Sequence, residues 1–204
     1  MPQRDPTKQV VLVLGGARSG KSGYAQRLAE ESWIHPLYLA TAEALDAEMA
    51  GRIARHRRER SPRWKCVEEP LDIARIVAAP PAGRDGILVD CLTLWLSNVL
   101  LREGEAQVTA RKKALLASLR NSPRGVILVS NEVGFGLVPE TELGRSFRDQ
   151  QGWLNQEMAA AADGVVLMVA GLPLVLKGTV SMSTLPAAAG ASRGSPDCPR
   201  TDNA

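Results

Sequence analysis

The chain has 204 residues, 45% apolar and 23% charged, which suits one ordinary globular domain long enough to bury a core. Its net charge of +3 is too small to argue for a nucleic-acid partner. Cys66, Cys91 and Cys198 form no CxxC pair and read as reduced thiols of a cytoplasmic protein. The longest apolar stretch, 165–176, is broken by Gly171 and Pro173, which excludes membrane insertion.

In chain order, residues 1–8 are polar and read as a flexible N-terminus, ahead of one domain spanning 9–177. The continuous Val/Leu run 10–14 predicts a strand buried on both faces. A glycine loop then opens a helix over Lys21–Ser32, and 37–40 makes a short second strand after Pro36. Over 45–60, Leu45, Met49 and Ile53 share one helical face. A third strand is expected at 64–68 and a short helix at 71–78, stopped by Pro80 and Pro81. Strand Gly86–Asp90, helices 92–102 and 108–119, strand 126–130, a long helix over 142–162 and strand 165–170 complete the alternation. Residues 174–176 add a short further strand. Met49, Trp95 and Trp153 fall at core spacing and are read as packing. From Gly178 the composition turns to Ser, Ala, Gly and Pro without periodicity, so 178–204 reads as a disordered tail. Strands alternating with helices predict an α/β fold: a P-loop (RecA-like) three-layer arrangement around a mainly parallel sheet.

The pattern G-x-x-x-x-G-K-[ST] is met in full by Gly15, Gly16, Ala17, Arg18, Ser19, Gly20, Lys21 and Ser22. It stands between a buried strand and a helix, the context in which backbone N–H groups cradle phosphates. Lys21 adds a full charge there, and Ser22 a hydroxyl for Mg²⁺. Asp90, ending a strand, fits a carboxylate that orients Mg²⁺; it could equally cap the helix that follows. His56 lies in a dense basic run with Arg52, Arg55, Arg57, Arg58, Arg60, Arg63 and Lys65. By residue type it is either a nucleophile among phosphate-neutralising guanidiniums or a surface histidine on a solvated helix. Asn131 and Glu132 are read as completing the hydrogen bonds of a Gly-rich loop. His35 has no functional reading.

With these segments in place, the chain resembles the bifunctional adenosylcobinamide kinase / adenosylcobinamide-phosphate guanylyltransferase family of cobalamin biosynthesis. The likeness is carried by GGARSGKS at 15–22, YLATAEALDAEM at 38–49, RIARHRRER at 52–60, LVDCLTLWLSN at 88–98, VSNEVGFGLVP at 129–139 and RSFRDQQGWLNQ at 145–156. It implies phosphorylation of the aminopropanol hydroxyl of adenosylcobinamide with ATP or GTP. Transfer of GMP from GTP follows, through a guanylylated histidine, to give adenosylcobinamide-GDP and pyrophosphate. The family's H-R-x-x-R histidine maps onto His56; some relatives carry a second histidine where this chain has Arg55. The resemblance further places Ala40, Thr41 and Ala42, and Arg57, Arg58, Glu59 and Arg60, in nucleotide-contacting stretches. Glu68 and Asp90 match acidic positions that help bind the guanine nucleotide, although relatives may have Glu at position 90. Homo-oligomers are common in the family and are expected here; no feature of the chain identifies the corrinoid-binding residues. Two other readings suit a phosphate-binding loop: a small-molecule kinase without a covalent step, or a RecA-like switch module. His56 is the feature that separates them, because neither gives a histidine a role in that setting.

Overall fold

The computed structural model describes residues 8–42 and 63–180. The predicted helix over 45–60, with His56 and most of the basic run, lies outside the described residues. So do 1–7 and 181–204, including Cys198.

Seven strands form one sheet in the order β3-β2-β4-β5-β1-β6-β7. They are β1 (Val10–Gly15), β2 (Pro36–Ala40), β3 (Lys65–Glu68), β4 (Gly86–Asp90), β5 (Gly125–Asn131), β6 (Gly164–Val169) and β7 (Leu172–Lys177). All pairings are parallel except β6 with β7. The helices are α1 (Lys21–Ser32), α2 (Ile73–Ala78), α3 (Leu92–Glu103), α4 (Glu105–Asn121) and α5 (Glu142–Ala161).

The apolar run of β1 explains the layering. Side chains alternate across a strand, so Val10, Leu12 and Leu14 enter one core with residues of α2 to α5. Val11 and Val13 enter the other, with Tyr24, Ala25, Leu28, Ala29 and Trp33 at α1. A strand with helices on both faces must be apolar throughout, and every β1 residue is buried. The α/β, three-layer expectation is met.

Several boundaries shift for local reasons. Helix α2 begins at Ile73 rather than 71, because the Glu69 carboxylate accepts the Leu71 and Asp72 N–H groups at 3.2 and 2.9 Å and holds that stretch as a turn. Helix α4 begins earlier than expected, directly after Gly104. The apolar stretch broken at Gly171 is a hairpin: Ala170 and Gly171 have φ of 51° and 82°, and β7 returns antiparallel. Trp153 corrects the packing expectation, being 52% exposed. The buried stripe of α5 is Gln151, Leu154, Asn155 and Met158, which leaves position 153 on the outer side. Trp95 is buried as expected.

Candidate functional site

The ends of β1, β4 and β5 lie side by side at the carboxyl edge of the sheet, where such folds bind ligands. The first element is the loop from β1 to α1. Two glycines in it are required by geometry. A Cβ on Gly15 would lie 2.4 Å from Ser19 Oγ and 2.8 Å from the Met168 carbonyl oxygen. Gly20 precedes the helix at φ 92°, a left-handed conformation that a side chain would strain. Arg18 is also left-handed, at φ 56°.

The loop has the features of an anion cradle. No side chain caps α1, and its first turn holds no acid, so the partial positive charge of the helix end is uncompensated within the helix. Ser19 Oγ is buried without a hydrogen-bond partner. Lys21 Nζ donates to the Gly16 carbonyl at 3.0 Å, which folds the ammonium over the loop. Burial holds the Lys21 pKa below its ordinary value, opposed by the nearby Cys91 and Asp90. Phosphate oxygens fit these features: they would accept from the helix N–H groups and pair with the lysine ammonium.

The second element is the end of β4. Sheet register puts Ala40 between Glu68 and Asp90 on one rung. Asp90 Oδ2 accepts from the Tyr38 hydroxyl at 3.0 Å. The capping alternative does not hold here: Cys91 occupies the cap position of α3, which has no side-chain cap bond. Asp90 is thus held by Tyr38 at the strand end, near enough to Lys21 for its charge to act on the ammonium. Thr41 is fully buried; its hydroxyl donates to the Cys91 carbonyl at 2.7 Å and accepts from the Cys91 N–H at 2.8 Å. Its carbonyl accepts from Asn98 Nδ2 at 2.9 Å. In this arrangement Thr41 fixes the Asp90–Cys91 segment. Burial, reinforced by Asp90, pushes the Cys91 thiol up to about 11, so at neutral pH it is a packing group. The described chain stops at Ala42, directly after this rung, and resumes at Arg63.

The third element, the end of β5, shows residues that sequence reading missed. Gln151 Nε2 donates to Ser130 Oγ and to Asn155 Oδ1, each at 2.9 Å, and Ser130 Oγ donates to Asn155 Oδ1 at 2.7 Å. Asn155 Nδ2 donates to the Asn131 carbonyl at 3.0 Å, and the Asn131 N–H donates to Thr93 Oγ1 at 2.8 Å. This buried network fixes the strand end that pairs with Gly15. Two polar residues four apart on the apolar stripe of α5 were the available signal. Glu132 takes the loop role expected of it, its Oε1 accepting from the Gly134 N–H at 2.9 Å. The β6–β7 turn also supports the cradle, since the Gly171 N–H donates to the Ser19 carbonyl at 3.0 Å.

Residues 11–176 match the family described as cobinamide kinase / cobinamide phosphate guanyltransferase. The chain belongs to that family. It is 48% identical to the bifunctional adenosylcobalamin biosynthesis protein CobP of Pseudomonas aeruginosa over 82% of this chain and 96% of that protein. It is 39% identical to the bifunctional adenosylcobalamin biosynthesis protein CobU of Escherichia coli, over 82% of this chain and 99% of that one. Among solved structures, the flagellar accessory protein FlaH of Methanocaldococcus jannaschii shares the fold: TM-score 0.51, 15% identity, 85% of this chain and 80% of that chain covered. As a family member the chain is a bifunctional enzyme, a cobinamide kinase and cobinamide-phosphate guanylyltransferase, and it binds nucleotide. No helix among the described residues is long and apolar enough to cross a membrane.

Proposed function

We propose that one cradle, Gly15 to Ser22, holds the nucleotide for both reactions, and that His56 carries the guanylyl group in the second. The observation that supports the cradle most directly is the uncapped end of α1, with Lys21 folded over Gly16. In the kinase step the aminopropanol hydroxyl oxygen of adenosylcobinamide attacks the γ-phosphorus of ATP or GTP. The new O–P bond replaces the one to the β-phosphate, the nucleoside diphosphate leaves, and the hydroxyl proton passes to solvent. In the second reaction a ring nitrogen of His56 attacks the α-phosphorus of GTP and pyrophosphate departs. A phosphate oxygen of adenosylcobinamide phosphate then attacks that phosphorus, breaks the N–P bond and yields adenosylcobinamide-GDP with the imidazole restored.

The chain's own groups act on charge. Lys21 and the α1 N–H groups neutralise phosphate oxygens as negative charge builds on them. Asp90 and Ser22 would hold Mg²⁺, which when bound supplies further neutralisation. We place Ala40, Ala42, Glu68 and the arginine-rich Arg57, Arg58, Glu59 and Arg60 around the nucleotide, on the family resemblance. Thr41 contributes by fixing the Cys91 backbone next to Asp90. The reading treats 9–177 as the working domain of a cytoplasmic homo-oligomer.

The test uses GTP labelled at the α- or, in parallel, the γ-phosphate, incubated with the enzyme and Mg²⁺ before denaturation. Only α-label should remain attached, lost in acid and kept in base, as a phosphoramidate requires. Absence of retained α-label, or equal retention by His56→Asn, would overturn the histidine assignment.

A further inference from the structure

The loop from Glu132 to Thr141 combines bracing with apolar exposure. Its start is fixed by the buried Ser130–Gln151–Asn155 network and by Glu132 accepting from Gly134. The Glu132 N–H also donates to the Gly15 carbonyl at 3.1 Å, which joins this loop to the phosphate cradle. Its end is clamped by Arg145, whose Nη1 donates to the carbonyls of Pro139 and Glu140 at 3.1 and 2.6 Å. Thr141 then caps α5 by accepting from the Gly144 N–H. A loop held at both ends could turn its apolar side chains inward, yet Phe135 is 85% and Leu137 95% exposed. Val138 and Leu143 are exposed beside them.

Apolar exposure concentrated at the mouth of a site marks a binding surface. The phosphate cradle itself offers a substrate charge, hydroxyls and backbone N–H groups but no broad apolar surface. A corrinoid is a broad macrocycle edged with methyl groups, and its reacting hydroxyl must come to the cradle. We infer that Phe135, Leu137 and Val138 form the apolar platform on which the corrinoid rests during the kinase step. This inference rests on the proposal that the aminopropanol hydroxyl is phosphorylated at the Gly15–Ser22 cradle. The platform sets the affinity for the corrinoid and leaves nucleotide binding to the cradle. Because these side chains contribute little to the core, they can be replaced without loss of the fold.

The experiment compares the wild type with Phe135→Ser/Leu137→Ser, and with Leu101→Ser as a control for an exposed leucine at the far end of α3. Initial rates of the kinase step are measured against adenosylcobinamide and, separately, against GTP. Corrinoid binding is read independently by quenching of tryptophan fluorescence without nucleotide, and mass in solution by size exclusion with light scattering. In the double variant the KM and Kd for the corrinoid should rise at least about tenfold, or ~1.4 kcal/mol. Its KM for GTP, its kcat and its mass should stay within about twofold of wild type, and Leu101→Ser should match the wild type throughout. An unchanged corrinoid Kd in the double variant overturns the platform. So does a change of oligomeric mass with corrinoid KM unaltered, which would assign the surface to contact between copies of the chain. If the wild type itself fails to phosphorylate adenosylcobinamide, the functional proposal falls and the platform with it.

Discussion

Two loops leave adjacent strands at the same edge of the sheet, and they are built in opposite ways. The loop after β1 is drawn tight by glycines, buries Ser19 and folds its one ammonium inward. The loop after β5 is pinned at both ends and shows Phe135, Leu137 and Val138 to solvent. A hydrogen bond from the Glu132 N–H to the Gly15 carbonyl couples them without mixing their chemistry. A site that joins a compact polyanion to a broad apolar ring needs both surfaces within one substrate's length. Close-packed backbone serves the first, since N–H groups must converge on phosphate. Projecting side chains serve the second.

The sharpest way to break this division is Lys21→Ala. Loss of the ammonium should lower kcat/KM of both the kinase and the guanylyltransferase reactions by roughly a hundredfold or more. Steady-state assays of each half-reaction check it. Loss of one activity with the other intact would mean two separate nucleotide sites. Next in size is Gly15→Ala. Its Cβ would press on Ser19 Oγ and the Met168 carbonyl, so stability should fall by ~1–3 kcal/mol and nucleotide affinity with it. Thermal melts with and without GTP measure both.

A smaller effect is expected from Arg145→Ala, which releases the clamp on Pro139 and Glu140. Corrinoid KM should rise about threefold with GTP KM unchanged, since the loss is one of pre-organisation rather than contact. Equal changes in both KM values would show that the loops are not separable. The mildest test is alkaline titration. Burial depresses the Lys21 pKa, and only the ammonium attracts phosphate. Nucleotide affinity measured by calorimetry should therefore weaken, as pH rises, before the ordinary lysine value of 10.5 is reached. Lys21→Arg, which stays charged over that range, should remove this weakening.

Much of the molecule was legible along the chain. The strands were found because burial on both faces demands unbroken Val, Leu and Ile, as in β1 and β4. The glycine loop between β1 and α1 was legible because its spacing is a local backbone requirement that cannot be met by residues distant in sequence. Where reading failed, the deciding contacts were long-range. Trp153 was misplaced because one turn of α5 offers several apolar residues and only packing selects the buried stripe. Gln151 and Asn155 received no role from the sequence, because only the fold brings Ser130 to them.

The sequence by itself determined the alternation of strands and helices, the glycine loop between β1 and α1 and the family, because each depends on periodicity or on neighbours within a few residues. Tertiary structure decided that Asp90 is held by the Tyr38 hydroxyl rather than capping α3, and that Thr41 fixes the Cys91 backbone next to it. It also decided that the β6–β7 turn and Glu132 support the cradle, and that the loop after β5 presents its apolar side chains outward. The physical reason is common to all four. Hydrogen bonds and burial between residues far apart in sequence depend on strand order, and strand order is set only when the whole sheet has formed.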